Sequence, residues 1–244
     1  MAVKYQNFTH SFNLNGKPVF APTEVGYRIG RDIKKLVETS YNFEDFYYHL
    51  RCGGHVAALH GHRENAYFCK VDIENFFYSI PRNRVIRCLK SIGISRHSHY
   101  AKWSCVKNPF TPPSYALPYG FVQSPILASL VLSRSELGEF LRDATKEFNV
   151  AVYVDDISLS GNDLSALNDA YLRLNDAADR AMLKLNPTKS VKPSEFLEVF
   201  NCSLETGKAE VTHSRIADFY KYGHPPSSVR AFEGYCSSVS KGNR

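Results

Sequence analysis

Residues 150–161 read Val-Ala-Val-Tyr-Val-Asp-Asp-Ile-Ser-Leu-Ser-Gly and carry the strongest fold signal in the sequence. Two runs rich in β-branched and apolar residues, 150–154 and 157–161, flank the acidic pair Asp155-Asp156. Two such runs separated by two residues are typical of a β-hairpin. The sequence therefore predicts a hairpin whose tip is formed by the two carboxylates.

A third acidic residue stands at the end of a short β-prone run further up the chain. Residues 67–72, Tyr-Phe-Cys-Lys-Val-Asp, predict a strand that ends at Asp72. Adjacent carboxylates on a tight turn repel each other unless a cation screens them, and carboxylate oxygens are ligands that Mg²⁺ prefers. If the strand lies beside the hairpin, Asp72 and Asp155 face one point. Taken alone, an Asp-Asp pair is more often a simple turn, so the neighbouring motifs have to decide between the two interpretations.

The remaining periodicity predicts helices around these strands. An amphipathic run at 25–48 indicates an N-terminal lobe. Helices are expected over 81–90, 126–141 and 163–185, further strands over 196–202 and 208–212, and a short polar tail over 213–244. This order of elements predicts an α+β fold in which an antiparallel sheet is backed by helices.

Composition limits the class of protein and permits a polyanionic partner. The chain has 244 residues, 43% of them hydrophobic, and a net charge of +6, which excludes disorder as its main state and is compatible with nucleic-acid binding. Six cysteines occur without any C-x-x-C pair, so neither a zinc ribbon nor a disulfide framework is indicated. No long apolar run or secretory signal is present, which predicts a cytoplasmic protein without a membrane partner.

One histidine-rich stretch offers a second group of potential metal ligands. Cys52, His55, His60 and His62 lie within eleven residues of one another. Their spacing fits no standard zinc module, and clustered histidines in a loop are more often solvated, so we do not predict a metal there.

Four motifs occur in the order in which they stand in reverse transcriptases, and they resemble those of bacterial enzymes of the retron, group II intron and phage-defence types. They are VDIENFFYSI at 71–80, LPYGFVQSP at 117–125, YVDD at 153–156 and LNPTK at 185–189. The resemblance spans about residues 66–203 and implies a right-hand polymerase palm with fingers and a short or reduced thumb. It places the N-terminal part of the fingers at 1–65, the palm with the rest of the fingers at 66–204, and the reduced thumb or C-terminal tail at 205–244.

The same resemblance assigns the catalytic residues. It implies that Asp72 and Asp155 bind two Mg²⁺ ions, for which Mn²⁺ can substitute, with Asp156 in support and the backbone carbonyl of Ile73 as a further ligand. Lys189 stands where the family has a lysine that protonates the departing diphosphate, a general-acid role suited to an amine near polyphosphate.

The nucleotide site is assigned in the same way. Phe77 falls five residues after Asp72, where the family has the aromatic ring that excludes a ribose 2′-hydroxyl and so favours deoxynucleotides. By this resemblance the nucleotide-binding set also contains Ile73 and, from the second motif, Tyr119, Gly120 and Gln123. The family usually has Gln where this chain has Tyr119, so the amide contact expected near the nucleotide is absent.

The resulting functional prediction is an RNA-directed DNA polymerase that adds dNTPs to a 3′-hydroxyl and makes a DNA product. Its expected setting is bacterial anti-phage defence with a dedicated non-coding RNA as template, and with a partner protein or a second copy of the chain. Two alternatives stay open: a weak or inactive RNA-binding scaffold with this fold in a larger complex, and an untemplated or protein-primed DNA polymerase.

Overall fold

The computed structural model describes residues 6–244, which form strands and helices along most of this length. The strands are β1 (Phe8–Leu14), β2 (Lys17–Pro22), β3 (Tyr67–Asp72), β4 (Val106–Lys107), β5 (Tyr115–Ala116), β6 (Asn149–Tyr153), β7 (Asp156–Gly161), β8 (Val191–Ser194), β9 (Leu197–Val199), β10 (Cys202–Glu205) and β11 (Lys208–Val211). The helices are α1 (Glu24–Ser40), α2 (Gly54–His62), α3 (Arg82–Ser91), α4 (His97–Ser104), α5 (Ser124–Ser133), α6 (Glu136–Ala144), α7 (Leu164–Arg180), α8 (His213–Tyr220) and α9 (Pro226–Ser240). Short 3-10 turns cover Tyr48–Leu50 and Phe76–Ser79.

The chain divides into two compact units, each assembled from three separate segments. The first unit holds residues 6–44, 73–139 and 179–184, and the second holds 45–72, 140–178 and 185–244. The division into fingers, palm and thumb that the motifs imply is a functional one and stays a prediction.

The second unit is built around a four-stranded antiparallel sheet of order β6-β7-β3-β8. This sheet confirms the predicted hairpin and the predicted strand at 67–72. Most side chains of β3 and β7 are buried on both faces of the sheet, as expected for central strands. Together with the helices, it confirms the predicted α+β class.

A second sheet, of order β11-β10-β9, carries the C-terminal helices. Its buried side chains form one core with residues from α2, β3 and α9. The predicted polar tail is therefore wrong for most of its length, because α8 and α9 are amphipathic, and the rings of Phe219 and Phe232 stack 4.0 Å apart. Asn243 ends this region by bonding both the N–H and the carbonyl of Ala209.

The first unit combines the β1-β2 hairpin with helices α1, α3, α4 and α5. Helix α1 is capped at its N-terminus by Thr23, whose hydroxyl accepts a hydrogen bond from the N–H of Gly26. A small buried cluster joins β2 to the strand pair β4-β5 and contains Phe20, Tyr78 and Phe121. Among residues 6–244, no helix combines the length and the apolar character needed to cross a bilayer.

Three predicted elements differ from the structure. The helix expected over 126–141 is two helices, because Ser135 accepts a hydrogen bond from the N–H of Gly138 and starts α6 as a new cap. Helix α7 ends at Arg180, and Met182 then has a φ of 54°. The strand expected over 196–202 is divided into β9 and β10 by Phe200-Asn201, which have φ values of 57° and 58°.

Candidate active site

The carboxylates of the candidate active site meet where β3 and β7 pair in the second unit. Asp72 is the direct partner of Asp156, and residues opposite each other in antiparallel strands project to the same face. Tyr153 pairs with Asp156, so the hairpin turn consists of Val154 and Asp155. The predicted tip was one residue too late, and Asp156 is the first residue of the second strand rather than part of the turn.

The turn itself holds a β-branched residue in the left-handed region. Val154 has a φ of 61°, a conformation that two-residue hairpin turns normally reserve for glycine or asparagine. Its N–H lies 3.1 Å from Nδ1 of His49, and the same Nδ1 lies 3.3 Å from the carbonyl of Val152. Burial lowers the pKa of His49, against the opposing effect of the Val152 carbonyl. The N–H of Val154 donates its hydrogen bond to Nδ1, and this bond supports the turn.

His49 is a residue that the sequence analysis missed. It lies 105 positions before Val154 and belongs to none of the four motifs. No local pattern in the sequence marks it, because its contact with the turn is made only through the packing of the second unit.

The three carboxylates repel one another. Burial and the negative charges of Asp155 and Asp72 together raise the pKa of Asp156 to about 6, while Lys70 and Lys189 act in the opposite direction. Such a group is stabilised by a bound cation, because the cation removes the repulsion between the carboxylates.

Lys189 is held against the same carboxylates by a turn that is fixed to β3. Its Nζ lies 3.1 Å from Oδ2 of Asp72. The backbone carbonyl of Asp72 accepts a hydrogen bond from the N–H of Asn186 at 2.8 Å, and the Asn186 side chain accepts bonds from both the N–H and the hydroxyl of Thr188. The fourth motif is therefore a turn that places its lysine beside the carboxylate of Asp72.

The donor set fits a magnesium ion of the kind used in phosphoryl transfer. Mg²⁺ in such sites is held by one or two carboxylates together with substrate phosphates, rather than by a cage made only of protein. Within residues 6–244, no group of three or more His, Cys, Asp or Glu side chains is placed so that it could hold a metal ion by itself. Asp72, Asp155 and Asp156 would provide only part of the ligand set, and the mutual repulsion at Asp156 is the feature that favours a cation.

The histidines of the second potential metal group have separate protein partners. His55 bonds the hydroxyl of Tyr235, and His60 bonds the carbonyl of Val239. His62 is buried with its two ring nitrogens 2.7 and 2.9 Å from the hydroxyls of Ser160 and Ser158, and burial lowers the pKa of His62 to about 4. These histidines therefore attach α2 to its neighbours within the second unit.

The aromatic residues assigned to the nucleotide site lie together in the first unit. Phe77 is 6% exposed, and its ring centre lies 4.7 Å from that of Tyr119 in an edge-to-face arrangement. Lys17 donates a hydrogen bond to the Tyr119 hydroxyl at 3.2 Å and lies 5.0 Å from the centre of its ring. The tyrosine that replaces the family's usual glutamine is thus held in place by a neighbouring ring and a lysine.

Gly120 and Gln123 make internal contacts of the first unit. Gly120 has a φ of 99°, and a Cβ there would lie 2.3 Å from the carbonyl oxygen of Phe20, so the glycine is required by a neighbouring strand. Gln123 is buried, and its amide donates to the hydroxyl of Ser104 at 3.4 Å. Ile73, which directly follows Asp72 in the chain, has a side chain that is only 1% exposed.

The structure thus brings together Asp72, Asp155, Asp156 and Lys189 within the second unit, and Phe77 with Tyr119 within the first. It gives Gly120 and Gln123 packing roles that the sequence did not reveal, because their close neighbours come from distant segments.

Solved structures with the same fold include a viral protease-reverse transcriptase and a telomerase. The foamy viral protease-reverse transcriptase dRH in complex with double-stranded DNA aligns with a TM-score of 0.56 and 16% identity, over 95% of this chain and 36% of that chain. Telomerase from Candida albicans in complex with a fragment of telomeric RNA aligns with a TM-score of 0.54 and 12% identity, over 78% of this chain and 38% of that chain. The chain spans less than half the length of either protein, and these identities establish a common fold only.

The family itself is established by the sequence model that matches. No curated protein matches the chain. A family model described as reverse transcriptase (RNA-dependent DNA polymerase) matches residues 17–211, which is well over half of the chain and includes all four motifs. The chain therefore belongs to the reverse transcriptase family of RNA-dependent DNA polymerases.

Proposed function

We propose that this chain synthesises DNA on an RNA template by adding deoxynucleotides to a 3′-hydroxyl. The observation that carries the proposal is the meeting of Asp72, Asp155 and Asp156 with Lys189 at the paired ends of β3 and β7. A protein that only binds RNA has no use for three mutually repelling carboxylates near a polyanion, because they weaken its binding.

In the proposed reaction, the 3′-hydroxyl loses its proton to solvent water and its oxygen forms a bond to the α-phosphorus of the dNTP, while the bond from that phosphorus to the diphosphate oxygen breaks. Two Mg²⁺ ions, or Mn²⁺, would activate the hydroxyl and neutralise the charge on the leaving group. Asp72 and Asp155, with Asp156 in support and the carbonyl of Ile73, would hold them. The ammonium group of Lys189 would donate a proton to the departing diphosphate.

Selection of deoxynucleotides is assigned to Phe77. A buried ring supported by Tyr119 cannot move aside easily, so it would exclude a 2′-hydroxyl by steric contact. Tyr119 would contact the nucleotide or template through its ring rather than through an amide. Gly120 and Gln123 would support this region by holding the second motif in place.

The setting we propose is anti-phage defence in the bacterial cytoplasm, with a dedicated non-coding RNA and a partner protein or second copy of the chain. The support is the similarity of the four motifs to those of bacterial retron, group II intron and defence enzymes, together with the net charge of +6.

Deoxynucleotide incorporation tests the proposal. The purified chain is assayed with Mg²⁺ on its co-purifying RNA and on a generic primed RNA, beside Asp155→Asn/Asp156→Asn and a control, Asp169→Asn, which removes one exposed carboxylate on α7. Product on both RNAs supports a general reverse transcriptase, and product only on co-purifying RNA supports a dedicated template. No product from the wild type on either RNA, or equal product from the double variant, overturns the proposal in favour of a scaffold.

A further inference from the structure

A cavity of about 390 Å³ lies in the first unit, apart from the residues assigned to catalysis and to the nucleotide. It is partly open to solvent and is bounded by α3, by the junction of α5 with α6, and by residues 180–182. Four arginines line it, against a single acidic residue, Glu136; the arginines are Arg84, Arg87, Arg134 and Arg180.

Arg84 forms the fixed part of this cavity. Its side chain is half-buried, and Nη1 donates a hydrogen bond to the carbonyl of Ala181 at 2.8 Å. Burial lowers the pKa of Arg84, while Glu136 raises it, but a guanidinium stays protonated in proteins. One positive charge is therefore held at a defined position in the wall.

Three of the four arginines also act on the charge of one further residue that lines the cavity, Cys88. Burial raises the pKa of the Cys88 thiol, and Arg84, Arg134 and Arg87 each lower it. All three arginines line the cavity together with Cys88.

The single acid in the lining, Glu136, offsets only part of the positive charge of the four arginines. In the part of the chain that the structure describes, neither Arg87, Arg134 nor Arg180 forms a salt bridge. The larger groove along α1 is different, because its four basic residues face three acidic ones. Like charges that gather without acidic partners repel each other, and an anionic ligand would remove that repulsion.

The lining selects the kind of anion. Among the described residues that line the cavity, no side chain is aromatic, so the wall offers no surface for stacking a base. Guanidinium groups in a cavity that is partly open to solvent suit the phosphates of a polymer, which they bind without regard to sequence. We infer that this cavity binds the sugar-phosphate backbone of an RNA strand at a site separate from the catalytic centre. This goes beyond the proposed polymerase function and does not depend on it.

Equilibrium binding of fluorescein-labelled oligouridylate, without nucleotide or Mg²⁺, tests the inference. The variant Arg87→Gln/Arg134→Gln removes two exposed charges of the cavity and keeps the half-buried Arg84. The matched control, Lys90→Gln/Arg230→Gln, removes two exposed charges that lie outside the cavity.

We expect the cavity variant to bind oligouridylate at least about 10-fold more weakly than the wild type. The slope of log Kd against log salt should fall by about 1.4, because each of two lost single-strand phosphate contacts contributes about 0.7. Oligoadenylate should show the same loss, and Arg87→Lys/Arg134→Lys should restore most of the slope. The control should keep the wild-type slope. Equal slopes for the cavity variant and the control, with both proteins folded by circular dichroism, would overturn the inference.

A second arm separates RNA from a small phosphate anion. Binding of inorganic diphosphate to the wild type and to the cavity variant is measured by calorimetry, and we expect no difference between them. If the variant loses diphosphate binding while its oligouridylate binding is unchanged, the cavity is a small-anion site and the RNA assignment is wrong. Because neither arm measures synthesis, failure of the polymerase proposal and failure of this one give different results.

Discussion

The cluster of three aspartates in the second unit and the aromatic pair Phe77 and Tyr119 in the first unit are held in place by different kinds of interaction. Asp72 and Lys189 are fixed by backbone hydrogen bonds and an ion pair, so an isosteric change leaves their frame intact. Phe77 and Tyr119 are fixed by ring packing, so a change of volume alters the frame itself. We therefore expect that substitutions in the aspartate cluster remove DNA synthesis without lowering the stability of the fold. Substitutions in the aromatic pair should change nucleotide selectivity and stability together.

The largest effect should come from Asp155→Asn. Replacing this carboxylate removes a charged oxygen ligand, and we expect DNA synthesis to fall by about 10³-fold or more while RNA binding is kept. Thermal unfolding of the metal-free variant should be no lower than that of the wild type, because one of three repelling charges is gone. Unchanged synthesis relative to Asp169→Asn would contradict the metal assignment.

Lys189 offers a way to separate proton donation from charge. We expect Lys189→Gln to lower kcat by about 10²-fold, as is typical for loss of a general acid. Lys189→Arg keeps the positive charge beside Asp72 but cannot release a proton, so kcat should stay low while KM for dNTP recovers.

Single-turnover rates for both Lys189 variants are compared with those of Lys184→Gln, which breaks an exposed ion pair with Glu74 at 2.7 Å. Full activity of Lys189→Arg would show that only the charge at this position matters.

The aromatic pair is tested by Phe77→Val. The smaller side chain opens space for a 2′-hydroxyl, and we expect the preference for dNTP over NTP in kcat/KM to fall by about 10–100-fold. Phe76→Val is the matched control, because its ring is stacked on Phe77, 5.8 Å away between centres, and is fully buried. Both variants should lose about 1–3 kcal/mol of stability, but only the first should change selectivity. Equal selectivity in the two variants would remove Phe77 from the nucleotide site.

The substitution His62→Gln should have the smallest effect on catalysis, but it should clearly change how stability depends on pH. Its pKa is about 4 in the folded protein, below the ordinary value of 6.5, so the unfolded chain binds more protons between these values. The contribution of neutral, buried His62 to the free energy of unfolding is therefore fully present above pH 6.5 and is lost as the pH falls toward 4. It amounts to about 2 kcal/mol between pH 7.5 and pH 5.

Urea unfolding at these two pH values checks the expectation for His62. His62→Gln should show a smaller pH dependence than the wild type, whereas His213→Gln, at an exposed position on α8, should not. If the free energy of unfolding of His62→Gln changed with pH as much as that of the wild type, His62 would not be the source of the pH dependence.

Local sequence was sufficient for the elements that carry the motifs. The strand that ends at Asp72 and the acidic hairpin follow from β-branched runs and a two-residue gap, and both are confirmed. The positions of the turns were less accurate, because the left-handed residues at the tips are Val154, Phe200 and Asn201. Neither valine nor phenylalanine signals such a conformation, and tertiary contacts such as the His49 bond to Val154 override the local preference.

By itself, the sequence determined the α+β class, the family and the identity of the four catalytic candidates, because motif order and strand patterns are properties of short segments. Only the tertiary structure decided that Asp156 stands opposite Asp72, that His49 supports the turn of Val154 and Asp155, and that four arginines from three segments line one cavity. These are contacts between residues far apart in the chain. Their formation depends on strand register and on the packing of helices, which no single stretch of sequence specifies.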